Sequence, residues 1–272
     1  MMIRPRAVMP LEPQLKAIIR TLLLVYLPLG LAAQTDNIIP LSSEPHHHLA
    51  LHNEYLNVYR VEVGAHDSVL LHRHDFDAIS IMLNDAEVTV YTPGKPEVHR
   101  KLTAGQVRLQ ARGYIHSTKI DGDSTYRNIT VELLTPQSEQ HNLCFPVIPD
   151  KPLHCPDPKS SKSGKQIQFE SNESSVSIVT LPPHQKSSVA RSASSQLVIA
   201  LDDGSAWHDH ETHPKRTLHS GDFLWMDAGK GPASLQNSGE RDVHIAIFAI
   251  KPSPHSEAVF PVGVDHPTSK HN

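Results

Sequence analysis

Short runs of alternating apolar and polar residues, separated by turn-forming residues, fill most of the chain after its first fifty or so residues. A period of two is typical of strands that bury one face. Turn signals such as Asn84-Asp85 and Pro93-Gly94 divide the runs. The pattern predicts an all-β fold with an irregular lead-in at residues 34–50. In the first half it predicts strands at residues 55–63, 68–74, 78–83, 87–91, 98–102, 106–109 and 126–133.

An internal repeat organises the chain. Residues 61–66 align without gaps with residues 179–184, and the same offset of 118 carries Leu83 onto Leu201. Further pairs match at an offset of 116: Gly105 with Gly221, Gly113 with Gly229, and residues 128–131 with residues 244–247. The repeat predicts two copies of one barrel.

The second block of the repeat also orients the strand at residues 126–133. Three of its apolar residues align with apolar residues of the second half: Ile129 with Ile245, Val131 with Ile247, and Leu133 with Ala249. We therefore expect this face to form the core. The polar Asn128 and Glu132 are then expected on the outer face, with no catalytic role for Glu132.

Two histidines separated by one residue, His72 and His74, are the most informative polar residues of the chain. They follow the apolar residues 69–71 in a predicted strand, where alternation places both on one face. A buried imidazole needs a partner to offset its desolvation. A metal ion would be such a partner, and His116 is a third candidate ligand downstream.

These residues resemble the two short motifs of the cupin superfamily, whose small barrels hold one divalent metal by a His-x-His pair, a carboxylate and a third His. In the first motif, Asp77 stands one step before the usual Glu positions, which hold Ala78 and Ile79, and Gly64 lies farther from the His pair than usual. The second motif matches at Gly105, Gly113 and His116, whereas its remaining positions hold Ala111 and Ile120.

The resemblance implies two tandem cupin barrels, which are double-stranded β-helix or jelly-roll folds. It also implies one divalent transition metal bound by His72, His74, Asp77 and His116. Imidazoles bind Fe, Mn, Zn, Ni and Cu, so the metal stays open. Strict alternation from His74 turns Asp77 to the opposite face, so Asp77 can ligate only if the chain bends. A site of three histidines is the alternative.

The repeat assigns the chemistry to the first copy. Each proposed ligand falls on a residue that binds transition metals poorly: His72 on Ala190, His74 on Ser192, Asp77 on Ser195, and His116 on Pro232. Because the second copy lacks these residues, the fold does not require them, and their presence in the first copy is better explained by metal binding than by packing. The second copy is therefore expected to be structural and to cover apolar surface of the first.

The first 33 residues have the order of a secretory signal, with basic residues, an apolar run and small residues before Gln34. The apolar run of roughly a dozen residues is short for the ~20 needed to span a bilayer. We expect cleavage, no stable membrane insertion afterwards, and a periplasmic or secreted protein. An uncleaved anchor is the alternative.

The predicted segments are a signal peptide at 1–33, a cupin domain with the metal site at 34–143, a linker at 144–165, a degenerate cupin domain at 166–253 and a flexible tail at 254–272. Cys144 and Cys155, the only two cysteines, lie in the linker. In an exported protein such a pair predicts a disulfide, and two free thiols are the alternative.

The net charge and the histidine content limit the classes of binding partner that we expect. The net charge of −4 offers no broad basic face, so nucleic acid is not expected. A small-molecule ligand or substrate is expected, and a homodimer is compatible with the sequence. A cluster of His46, His47, His48 and His52 could capture metal, although a solvated lead-in is favoured. His208, His210 and His213 are expected in a polar turn.

Two functions remain open. One is a metal-dependent enzyme of dioxygenase, isomerase or lyase type acting on a small molecule. The other is a non-catalytic cupin module that binds a small molecule or a metal. A general base beside the metal would favour the enzyme, and the sequence shows no secure one, so whether the protein is an enzyme stays open.

Overall fold

The computed structural model describes residues 37–139, 141–142, 164–189, 192–209, 213–229 and 233–251. The predicted signal segment, the two cysteines, Ala190, His210, Pro232 and the tail lie outside these ranges. Within them the structure is built of strands with one short 3₁₀ helix, Leu41–Ser43, and contains no α-helix. The all-β prediction is confirmed.

Ten strands form the first half: β1 Ile39–Pro40, β2 His47–His52, β3 Leu56–Val63, β4 His72–Arg73, β5 Asp77–Met82, β6 Ala86–Tyr91, β7 Val98–Leu102, β8 Val107–Gln110, β9 Ile115–Ile120 and β10 Tyr126–Leu133. They make two five-stranded sheets of order β1-β4-β9-β6-β7 and β2-β3-β10-β5-β8. The two sheets face each other and enclose one interior, as in a jelly roll.

Ten more strands repeat this plan: β11 His141–Asn142, β12 Gly164–Glu170, β13 Ser174–Leu181, β14 Lys186–Val189, β15 Ser195–Ala200, β16 Ser205–Asp209, β17 His213–Leu218, β18 Phe223–Met226, β19 Ala233–Asn237 and β20 Val243–Ile250. The sheets have the orders β11-β12-β13-β20-β15-β18 and β14-β19-β16-β17. The prediction of two tandem barrels of the cupin type is confirmed.

Each barrel has its own interior cluster of apolar side chains, and a third cluster joins the barrels. Val63, Met82 and Ile120 belong to the first interior, and Trp207 and Leu235 belong to the second. The joining cluster combines side chains from both halves: Leu56, Val58, Ile79, Ile81, Val107, Leu109, Ile129, Val131 and Leu133 with Phe169, Val176, Ile178, Leu197, Ile199, Leu201, Ala246 and Phe248. The second barrel thus covers an apolar face of the first.

Polar and close contacts fix the same interface at its margin. Arg60 lies 3.5 Å from a carboxylate oxygen of Asp222, and the rings of Tyr55 and Trp225 stack with centroids 5.8 Å apart. Gly221, at φ +89°, fits so closely that an added Cβ would lie 2.9 Å from Cδ1 of Leu83. A side chain at position 221 would therefore require the Leu83 side chain of the first barrel to move.

The structure corrects the alignment of the last strand of each barrel. Leu83 N–H donates to the Arg127 carbonyl, and Leu201 N–H donates to the His244 carbonyl, which gives an offset of 117. The predicted offset of 116 was wrong by one residue, and a slip of one residue exchanges the two faces of a strand. Ile129, Val131 and Leu133 correspond to Ala246, Phe248 and Ile250, and these faces form the interface between the barrels.

The strand predicted at residues 68–74 is shortened to His72–Arg73, and two other regions differ from the predicted strand pattern. The lead-in is ordered: β1 pairs with β4, β2 pairs with β3, and Leu41 is buried between them. Strand β9, which carries His116, was not predicted, because its inward residues His116 and Thr118 are polar and hide the apolar alternation. In the part of the chain that is described, no helix has the length and apolar character to cross a membrane.

Candidate metal centre

The three predicted histidines meet inside the first barrel. His72 of β4 pairs across the ladder with His116 of β9, and His74 follows two residues after His72 on the same face. Ring centroids are 4.5 Å apart for His72 and His116 and 5.2 Å apart for His74 and His116. One nitrogen from each ring lies within 4.8 Å of the others, which is a spacing at which the three could hold one metal ion.

Two buried ring nitrogens of the three histidines lack hydrogen-bond partners. Nε2 of His72 and Nδ1 of His74 are buried and accept or donate no hydrogen bond among the residues described. The Nε2 atoms of His74 and His116 are 3.0 Å apart. Buried polar nitrogens without partners destabilise a fold. A bound cation would supply the missing interaction, so the donor set fits a transition metal.

A hydrogen bond sets the tautomer of His72. Its Nδ1 lies 2.8 Å from the carbonyl oxygen of Leu70, and since a carbonyl only accepts, Nδ1 is the nitrogen that carries the proton. Nε2 then holds a free lone pair directed into the barrel. Metal-ligating histidines are commonly oriented in this way by a donated second hydrogen bond.

Burial keeps the three rings neutral, which is the form that binds metal. Burial, with a smaller contribution from His47, lowers the pKa of His72 to about 4. Burial also holds the pKa values of His74 and His116 well below the usual range. At neutral pH the trio therefore offers lone pairs without first losing protons.

This shift predicts how the stability of the metal-free protein depends on pH. The pKa of His72 is lower in the folded protein than in the unfolded chain, so the unfolded chain binds more protons below pH 6.5. The free energy of unfolding therefore falls as the pH is lowered from 6.5 to about 4. The shift of His72 alone should lower the free energy of unfolding by about 3 kcal/mol between these two pH values. Urea unfolding at pH values within it measures the slope. The variant His72→Gln should flatten the slope, and an equal slope in the variant would contradict the assignment.

Asp77 is not brought into the cluster. It lies on the face of β5 that carries Ile79 and Ile81, and its two carboxylate oxygens accept the backbone N–H groups of Arg112 and Gln137, each at 3.0 Å. In the second barrel the hydroxyl of Ser195 accepts the N–H of Ala228 at 3.0 Å, which is the equivalent contact. The contact common to both copies indicates that Asp77 fixes a turn.

A fourth imidazole, which the sequence analysis did not select, borders the trio. His47 of β2 is almost fully buried, and its ring centroid lies 5.0 Å from that of His72. The expectation of a solvated histidine cluster is wrong at this position, because β2 forms part of the barrel wall. No alternation in the sequence would place His47 inside, because burial along β2 is not periodic and a bulge lies between Leu49 and Leu51.

A buried carboxylate orients His47. Oε2 of Glu44 lies 2.6 Å from Nδ1 of His47, and the same carboxylate accepts the Leu70 N–H at 3.1 Å and the His46 N–H at 2.9 Å. Burial alone would raise the pKa of Glu44, but the hydrogen bonds from His47, His46 and Leu70 outweigh it and lower the pKa to about 2. Glu44 is therefore a permanent anion that holds Nδ1 of His47 as a donor and leaves Nε2 free.

Replacing this carboxylate should be costly. In Glu44→Gln one acceptor oxygen becomes an NH₂ group that faces other donors, so we expect the free energy of unfolding to fall by about 2 kcal/mol. Urea denaturation measures the loss. Glu62→Gln, an exposed site on β3, is the matched control and should leave stability unchanged. Equal stability of Glu44→Gln and the parent would contradict the role given to the carboxylate.

The inner face of β10 completes a polar interior. Tyr126, Asn128 and Thr130 line a cavity beside the histidines, with a volume of about 20 Å³. Its wall is formed by His47, Val61, Val69, His72, Gln110, His116, Thr118, Tyr126, Asn128 and Thr130. The expectation that Asn128 lies on an outer face is wrong, since the faces of this strand were exchanged by the alignment slip.

Glu132, the last inward residue of this strand, was also expected outside. It is buried and accepts hydrogen bonds from Asn57 Nδ2 at 2.9 Å and from the Tyr59 hydroxyl at 3.1 Å. These bonds satisfy its carboxylate away from the cavity wall. Burial and the charge of Glu132 raise the pKa of Tyr59. The pair therefore supports the barrel interior rather than the reacting centre.

The second barrel presents an apolar interior at the equivalent positions. With the corrected offset, Asn128 corresponds to Ile245 and Thr130 to Ile247. The Gly229 N–H bonds to the carbonyl of Ser192 as Gly113 N–H bonds to that of His74, which places Ser192 at a ligand position. His208, predicted in a polar turn, lies in β16 and pairs with Ser234. Within the described part of this barrel no group of metal-ligating side chains forms.

Solved structures share this architecture. A crystal structure of AerE from Microcystis aeruginosa has a TM-score of 0.52 at 11% identity, over 77% of this chain and 99% of that one. The protein has the bicupin fold. A cupin 2 conserved barrel domain protein from Leptotrichia buccalis has a TM-score of 0.48 at 9% identity, over 75% of this chain and 87% of that one. A salicylate 1,2-dioxygenase from Pseudaminobacter salicylatoxidans has a TM-score of 0.49 at 12% identity, over 74% and 75%.

At these identities the likeness concerns the fold alone, since one bicupin fold hosts many activities. No protein-family model matches the chain, and no curated protein matches its sequence. The function of this bicupin therefore has to be argued from its own residues.

Proposed function

We propose that this bicupin is a metal-dependent enzyme whose first barrel binds one divalent transition metal through His72, His74 and His116. The observation that carries the proposal is the buried cluster of three neutral imidazoles, in which Nε2 of His72 and Nδ1 of His74 lack partners among the described residues. Asp77 is assigned to the fold, so the ligand set is the three-histidine one.

A bound divalent metal would act here as a Lewis acid or a redox centre for a small molecule. The chain supplies the other requirements from its own residues. Glu44 orients His47 so that Nε2 can accept a proton at the edge of the cavity. Val61 and Val69 supply the aliphatic part of the cavity wall. His47 is the general base that the sequence analysis lacked, and it favours an enzyme over a non-catalytic binding module.

The test is elemental analysis of the full-length protein purified without an affinity His tag. About one Fe, Mn, Zn, Ni or Cu per chain supports the proposal, and Fe or Mn would favour oxygen or enolate chemistry within the dioxygenase, isomerase and lyase classes. A protein that stays metal-free after incubation with each of these ions refutes it. A non-catalytic module would bind the metal and leave candidate ligands chemically unchanged in proton NMR spectra.

We also propose that the protein acts after export, in the periplasm or outside the cell. The order of residues in the first 33 positions supports export, and the pair Cys144 and Cys155 supports an oxidising compartment. Both features lie outside the described residues.

A further inference from the structure

An arginine inside the first barrel has no anionic partner. Arg108 of β8 alternates with Val107 and Leu109, which pack into the interface between the barrels, so its side chain points to the interior. Only 7% of the residue is exposed. Burial lowers the pKa of Arg108, and the ionisable groups that act on it are Tyr126, Arg100 and Tyr114, with no carboxylate among the described residues.

A second arginine faces the same interior. Arg100 of β7 lies two residues from the buried Leu102 and therefore on the same face. Its Nε is buried and makes no hydrogen bond within the described ranges. Two guanidinium groups that repel each other, one buried and one half-buried, destabilise the fold unless an anion is bound between them.

Arg108 is placed beside the candidate metal centre. Along β8 it is two residues from Gln110, which lines the cavity, and across the sheet it pairs with Ser80, the neighbour of the cavity residue Thr130. Its charge also acts on His116, where it adds to the effects of burial and of the other histidines in lowering the pKa. The guanidinium and the three histidines therefore belong to the same interior of the first barrel, although Arg108 is not part of the cavity wall.

The second barrel shows that the fold does not require this arginine. Leu109 pairs with Ile79, and Trp225 pairs with Leu197, the counterpart of Ile79. Arg108 thus corresponds to Leu224, which packs against the interior cluster of the second barrel. A positive charge has been kept only in the barrel that carries the histidines.

We propose that the first barrel binds a small organic carboxylate, whose oxygens accept hydrogen bonds from Arg108 with Arg100 beside it, next to the three histidines. The guanidinium fork matches the planar carboxylate in a bidentate manner. The cavity beside the histidines is small, about 20 Å³, and leaves no room for bulky anions. This inference rests on the proposed function, because the carboxylate would be bound in the same barrel interior as the metal.

The experiment is calorimetric titration of the full-length protein with formate and acetate, with formamide and acetamide as neutral counterparts and inorganic phosphate as a competing anion. We expect saturable binding of the carboxylates alone, weakened roughly 30-fold or more in Arg108→Gln. Lys101→Gln removes an exposed charge from β7 and should leave binding unchanged. Carboxylate binding that is absent, equally strong in Arg108→Gln, or weaker than phosphate binding overturns the proposal.

Two further measurements separate the possible failures. Arg108→Lys keeps the charge but loses the fork, so binding weakened about tenfold is expected even if the glutamine variant does not fold, whereas unchanged binding counts against the site. Metal content is measured on the same samples. A protein without metal whose carboxylate binding depends on Arg108 refutes the proposed function alone, whereas a metal-loaded protein with Arg108-independent binding refutes this inference alone.

Discussion

Replacement of both His72 and His74 by alanine is expected to reduce metal occupancy from about one ion per chain to near zero while the protein stays folded. Two of the three donors disappear, and His116 alone cannot hold a divalent ion firmly. The loss of buried contacts is partly offset because two desolvated imidazoles with partnerless nitrogens are removed as well. Elemental analysis gives the occupancy, and circular dichroism and thermal unfolding report the fold.

The matched control for this pair is the double variant of His48 and His52, which are exposed on β2. It removes the same number of imidazoles from the histidine-rich segment and should retain full occupancy. If the His72 and His74 variant keeps its metal and the control loses it, the site lies in the segment around His46–His48, and the assignment to the barrel interior fails.

Truncation after Pro158 should yield a first barrel that retains its metal ligands but aggregates or loses much of its stability. The structure gives the reason: nine apolar side chains of the first barrel, among them Ile79, Ile81 and Val131, pack against the second barrel. Their exposure would create a continuous apolar face of the kind that drives association. Size-exclusion chromatography and thermal unfolding, compared with the full chain, measure the effect.

A point substitution in the same interface measures what this contact contributes to stability while both barrels remain in the chain. Phe248→Ala removes a large, fully buried side chain and should lower the free energy of unfolding by about 3–5 kcal/mol. Phe223→Ala, at the half-buried margin, should cost less.

A soluble, monomeric truncation with an unchanged melting temperature would show that the barrels are independent and that the second one has its own binding role.

The sequence predicted the fold class because strand alternation is a local property and because the repeat is long. It also selected the three histidines that meet, since His72 and His74 lie two residues apart on a strand and their counterparts in the second half are not ligands. Asp77 was less tractable. Only the tertiary contact with the N–H groups of Arg112 and Gln137 shows that this carboxylate serves a turn.

Two other features depended on information that is not local. His47 lies 25 residues before His72, and the contact between them follows from the pairing of β2 with β3, which the composition of the lead-in does not reveal. The inward polar residues of β10 were assigned to the wrong face because aligning Ile129 with Ile245 gives as good a sequence match as the correct alignment of Ile129 with Ala246. Backbone hydrogen bonds, rather than residue similarity, decide the register.

The shared apolar core has a consequence for how such a protein can diversify. On β8 and β10, residues that line the cavity are sequence neighbours of residues that pack against the second barrel, as Gln110 is of Leu109 and Thr130 is of Val131. A change of side-chain volume at Phe248 therefore acts on the backbone that presents the cavity wall. Substitutions in the second barrel can therefore change the shape of the cavity in the first barrel, while every residue that lines the cavity stays the same.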